Sequence, residues 1–140
     1  MTGNGFYYII SITKLSVAKE RQNQMEGRLE QQFKKGALEM VLLARIAQGK
    51  TYGYELIGAL DSEGGPLFSH TKEGTLYPVL YRLEDDGLVR SELSPGEGGR
   101  KKKYYTVTEA GLRQLAAMRA FWARYKACVD HLMEENRNEE

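Results

Sequence analysis

Four consecutive cations, Arg100-Lys101-Lys102-Lys103, follow a segment rich in turn formers, Pro95-Gly96-Glu97-Gly98-Gly99. Like charges at that density repel one another and are costly to hold together without a polyanion nearby. Beside a phosphate backbone they gain, because each phosphate neutralised releases condensed counterions. A second set lies upstream: Lys72, Thr75, Tyr77, Tyr81 and Arg82 carry groups that can donate to phosphate oxygens or base edges. Each set has a plainer alternative. A charge run can simply be a solvated surface, and Tyr77 or Tyr81 can pack against a neighbouring helix. What the two sets share is binding chemistry, with no group placed to make or break bonds.

Other chemistries find little support. Cys128 and His131 stand one helical turn apart, but zinc wants three or four ligands and His70 is far away in sequence, so no metal site is expected. Gly96-Glu97-Gly98 does not lead from a strand into a helix, so it is no dinucleotide loop. Ser, His and acidic residues form no nucleophile elbow, and Asp85-Asp86 suits a solvated helix end. The reading is therefore a non-enzyme with no cofactor. A single cysteine excludes an intrachain disulfide and fits a reducing cytoplasm. With a net charge of +1, attraction to nucleic acid must come from local clustering. No apolar run approaches the roughly 20 residues of a membrane span. The longest, Phe6 to Ile12, also lacks the flanks of a signal peptide.

These side chains need elements to hold them. Leu38, Val41, Leu42 and Ile46 recur at helical spacing, which predicts an amphipathic helix over about 29–48, closed by Gly49. Thr51 is expected to cap a second helix with Tyr54, Leu56, Ile57 and Leu60 on its apolar side, ended by Gly64-Gly65-Pro66. A third helix is expected from near Gly74. Leu76, Leu80 and Leu83 form its core stripe, and Pro78 falls in the first turn, where a missing N–H costs nothing. Gly87 ends it. Two strands follow, Leu88 to Leu93 and Arg100 to Val107, with the glycine-rich segment as tip. Thr108 caps the last helix.

Along that helix Leu115, Met118, Trp122, Tyr125, Val129 and Leu132 step by 3, 4, 3, 4, 3, an a/d seam. Phe121, Tyr125, Cys128 and Leu132 widen the stripe beyond what one small domain can cover, and a second subunit is the expected cover. Trp122 is the only tryptophan. It reads either as core packing or, paired across a dimer axis with Phe121 and Tyr125 near it, as a wall for a planar aromatic ligand.

Residues 1–28 stand apart. Phe6 to Ile12 is β-prone with no visible partner strand. The segment reads as a disordered extension, as an extension that adds a strand or an arm, or as a mis-assigned start upstream of Met25. In the last case the codons of Lys19-Glu20-Arg21 would supply a purine-rich ribosome-binding sequence.

A helix followed directly by a basic two-stranded hairpin is the geometry of a winged-helix DNA reader. The expected fold class is α+β, mostly helical: a winged helix-turn-helix domain over 29–107, a dimerisation helix over 108–136 and an acidic tail over 137–140. DNA contacts fall to Lys72, Thr75, Tyr77, Tyr81, Arg82, Arg100, Lys101, Lys102 and Lys103. The dimer interface falls to Leu115, Met118, Trp122, Tyr125, Val129 and Leu132. The partners implied are a near-palindromic double-stranded operator, a second copy of the chain and a planar aromatic effector, with no membrane. A winged helix used as a protein–protein adaptor, anchored by Tyr77 and Tyr81, is the rival reading.

Four motifs carry a family resemblance. Tyr52-Gly53-Tyr54-Glu55-Leu56, Gly74 to Leu80, Leu83-Glu84-Asp85-Asp86-Gly87-Leu88-Val89, and Arg100 to Gly111 together resemble the PadR family of bacterial transcriptional regulators over roughly 34–133. The family often has His where this chain has Tyr52. The single C-terminal helix resembles the short PadR subgroup. That resemblance implies a homodimeric winged-helix repressor with its last helix in the interface. It also implies a site for flat hydrophobic drugs between paired tryptophans, at the position of Trp122.

Overall fold

The computed structural model describes residues 3–95 and 101–135. The glycine-rich tip, Arg100 and the acidic tail lie outside them. In chain order the elements are α1 (Gly3–Ala47), β1 (Thr51–Tyr52), α2 (Gly53–Glu63), α3 (Gly65–Phe68), α4 (Glu73–Asp85), β2 (Val89–Pro95), β3 (Lys101–Val107) and α5 (Glu109–Met133). The strands form an antiparallel sheet in the order β1-β3-β2. The fold is mostly helical with one small sheet, as the sequence implies.

Two compact units divide the chain, residues 1–37 and 38–140. In the first, the β-prone segment from Phe6 to Ile12 is helix. β-propensity reports how a side chain packs on a pleated surface. With no strand to pair, the backbone satisfies its own N–H and C=O groups by forming helix. Thr13 follows suit, donating its hydroxyl to the Ile9 carbonyl at 2.9 Å. Phe6, Tyr7, Tyr8, Ile9, Ile12 and Leu15 are exposed.

The second unit holds the core. Leu38, Leu42, Leu43 and Ile46 of α1 meet Leu56 and Leu60 of α2, and Leu76, Val79, Leu80 and Leu83 of α4. Val89, Tyr105 and Leu115 close it from the sheet and from α5. The leucine stripe of α4 is buried as its spacing predicts, each fully buried leucine contributing about 1.5–3 kcal/mol.

Three local expectations change. Thr51 is not the cap of α2. It belongs to β1, pairs with Tyr105 and donates its hydroxyl to Glu55 at 2.9 Å, while Tyr52 stands at the cap position. The turn after α2 contains a further short helix, α3, with Pro66 in its first turn. Finally, α4 begins at Glu73, which places Pro78 one turn inside. The Gly74 carbonyl therefore lacks its usual donor four residues on. Gly74 is exposed, so water can supply that bond.

Gly87, with φ 75°, ends α4 and turns the chain into β2. Thr108 caps α5 as expected, accepting from the Gly111 N–H at 3.0 Å. Its hydroxyl also reaches the Gly87 carbonyl at 2.7 Å, so one residue joins the start of α5 to the turn after α4.

Candidate nucleic-acid interface

The α4 leucine stripe faces the core, which leaves Lys72, Thr75, Pro78 and Tyr81 exposed on other sides of the helix. Lys72 stands at the N-cap, with no side-chain cap bond. Tyr81 is 69% exposed, the largest uncovered side chain on α4. Tyr77 behaves differently. It is half-buried against the core, and its ring lies over Gly53, where a Cβ would run into the tyrosine hydroxyl. Tyr77 thus takes the packing alternative, and Gly53 leaves the space for it. Arg82 also faces its own protein, 3.7 Å from Glu39 of α1.

The wing is β2 and β3, paired in register from Val89 opposite Val107 to Pro95 opposite Lys101. Its three described lysines differ. Lys101 is exposed, and its side chain has no ion pair or ring contact among the described residues. Lys102 is exposed and holds its ammonium 4.4 Å from the centre of the Tyr52 ring, a cation–π interaction that leaves the charge free to meet an anion. Lys103 points back. Its Nζ lies 3.6 Å from Glu84 of α4, 5.2 Å from the Tyr81 ring centre and 5.7 Å from that of Tyr105. Glu84 also accepts from the Ser91 hydroxyl of β2 at 2.8 Å.

The root of the wing is further braced by Lys50, 2.6 Å from Glu92 and 5.1 Å from the Tyr104 ring centre. The Lys50 hydrogen bond and charge hold the Glu92 carboxyl below the usual range. Burial, seconded by the Glu84 charge, pushes the Tyr105 phenol up to about 12. The roles of Glu84, Ser91 and Lys50 are not legible in the sequence, because each depends on a partner brought close only by the fold.

Along α5 the seam divides. Leu115 is 5% exposed and belongs to the protomer's own core, with Met118 packed against it. Leu115 is therefore withdrawn from the expected dimer interface: its surface is already covered from within the chain. Trp122, Tyr125, Val129 and Leu132 remain exposed, as does Phe121. Their rings stack along the helix, Phe121 on Tyr125 at 5.7 Å and Trp122 on Tyr125 at 6.4 Å between centres. Cys128 is exposed on the same helix. Among the described residues no group of His, Cys, Asp or Glu gathers to hold a metal ion, and no helix is long and apolar enough to cross a membrane.

The fold that joins this helix to the wing is shared with known proteins. Residues 42–117 match the model of the transcriptional regulator PadR-like family. The chain belongs to that family. This PadR-like chain is 32% identical over 100 residues to an uncharacterised protein of Lysinibacillus sphaericus, covering 71% of itself and 91% of that protein. It is 35% identical over 80 residues to a transcriptional regulator of Mycobacterium tuberculosis, covering 57% of itself and 70% of that protein. A solved PadR family transcriptional regulator from Eggerthella lenta superposes with a TM-score of 0.73 at 32% identity, over 81% of this chain and 96% of that one. A PadR-like regulator from Bacillus cereus gives 0.64 at 35% identity, over 75% and 99%. As a PadR-like protein the chain is a DNA-binding regulator of transcription, and the winged-helix architecture is that of its relatives.

Proposed function

We propose that this chain is a homodimeric repressor that reads a near-palindromic operator and is released by a planar aromatic ligand at the dimer interface. The observation that carries the DNA reading is the junction of α4 and the wing. Thr75 and Tyr81 stand exposed on the helix while Lys101 and Lys102 stand exposed on the hairpin. A helix fits a major groove about 12 Å wide, and Lys72, Thr75 and Tyr81 would meet it first. Lys101 and Lys102, which Arg100 precedes in the sequence, would hold the flanking backbone.

Dimerisation is supported by the aromatic and aliphatic surface that α5 leaves open past Met118. Helices paired there would place two copies of α4 in successive major grooves about 34 Å apart. Trp122, Phe121 and Tyr125 supply the stacking faces for an effector. Such a ligand relieves repression only as far as it prefers the form that does not bind DNA. Repression is supported by a negative transcriptional regulator from Bacillus subtilis, 28% identical over 78 residues; the chain covers 42% of its length.

A gel shift with DNA from upstream of the chain's own gene tests the reading. Retardation at nanomolar protein, abolished by competition with the same duplex but not with unrelated duplex, is the expected result. No shift at any concentration would favour the adaptor.

A further inference from the structure

We propose that Glu84 withholds Lys103 from DNA, making Lys103 a positioning residue that fixes the wing against α4 while Lys101 and Lys102 carry the phosphate contacts. This rests on the DNA-binding reading above. Glu84 sits in the last turn of α4 and reaches both strands of the wing, accepting from Ser91 on β2 at 2.8 Å and facing the Lys103 ammonium on β3 at 3.6 Å. The ammonium of Lys103 lies 5.2 Å and 5.7 Å from the ring centres of Tyr81 and Tyr105, and its side chain is 37% exposed. Lys101 and Lys102, on the same strand, are more open, and neither meets a carboxylate among the described residues.

Charge accounting separates the three lysines. A cation that leaves water for a phosphate gains by releasing counterions. Lys103 would first have to leave its carboxylate, and Glu84 would then face the duplex as an unpaired negative charge. The net change in counterions at that point is small. Lys101 gives up nothing comparable. Tyr81 belongs to the same arrangement: Lys103 lies over its ring, so the pose of an exposed side chain on α4 depends on the wing root. The sequence run of cations is thus divided by the fold into charges that meet DNA and one that builds the reader.

The test measures DNA affinity of the dimer at several salt concentrations by fluorescence anisotropy. Lys101→Gln should flatten the slope of log affinity against log salt by about 0.9 for each phosphate that is no longer neutralised. Lys103→Gln should flatten it less than Lys101→Gln does, because it removes no phosphate contact and only leaves Glu84 unpaired. Glu84→Gln should steepen it, because Lys103 is then free to meet a phosphate. Equal flattening by Lys101→Gln and Lys103→Gln, or no change of slope with Glu84→Gln, overturns the proposal. A second arm needs no DNA. The melting temperatures of Glu84→Gln, Lys103→Gln and the double variant should be non-additive. Additive shifts would show that the two side chains do not act together, whatever the protein does on DNA. If wild-type protein binds no duplex while the melting shifts are non-additive, it is the DNA reading that fails.

Discussion

At Gly111 the first turn of α5 comes so close to the start of β2 that a Cβ would run into the Leu88 carbonyl oxygen. The Thr108 hydroxyl, bonded to the Gly87 carbonyl on one side and to the Gly111 N–H on the other, holds that approach in place. Because the obstacle is backbone, Gly111→Ala should lower stability by about 1–3 kcal/mol in urea denaturation; an unchanged midpoint would mean that α5 can shift freely. Tyr105 makes a prediction in pH. Its phenol is held near 12 in the folded chain, above the usual value of about 10. A group raised in this way contributes stability that is complete below the unfolded value and is lost as pH climbs through the folded one. Stability should therefore fall between about pH 10 and 12, and Tyr105→Phe should remove that part of the decline. Some local chemistry at this scale is legible in the sequence: Thr108-Glu109-Ala110-Gly111 announces a cap. Glu84 is not, since its partners lie on two strands and no spacing within α4 marks it.

Elements with a strong period are the most legible. The stripe Leu76, Leu80, Leu83 predicts both α4 and its buried side, and Leu80→Ala should cost about 2–5 kcal/mol in equilibrium unfolding. A cost near zero would place Leu80 outside the core. β1 escapes a reading by pattern because two residues carry no alternation, and its pairing with β3 exists only once the hairpin has formed. The helix over Phe6 to Ile12 escapes it because propensity is a weak guide where no partner strand fixes the outcome. The α5 seam is a single line but not a single surface: a regular period continues from the protomer's core onto its exposed face, and spacing alone does not show where one becomes the other. Trp122 reports on that face without interference, being the only tryptophan. Planar aromatic compounds should quench its fluorescence in the proposed dimer. If none does, and Trp122→Ala protein still releases DNA when inducer is added, the ligand site lies elsewhere.

For the whole molecule, one domain presents one reading head, and the proposed operator needs two at a fixed separation. The exposed end of α5 would set that separation, so replacing Val129 and Leu132 together by Glu should convert dimer to monomer in analytical ultracentrifugation. A persistent dimer would move the interface away from this helix. Loss of the proposed dimer should weaken operator binding far more than binding to random duplex, because the wing lysines would act on any phosphate backbone while only paired heads would recognise spacing. The measurement that bears most directly on the function is hydroxyl-radical footprinting of the chain on the DNA upstream of its own gene. Two protected patches, centred about one helical turn apart on one face of the duplex, are expected. Absence of protection, or a single patch that Val129→Glu and Leu132→Glu leave unchanged, would contradict a dimeric reader built from α4 and the wing.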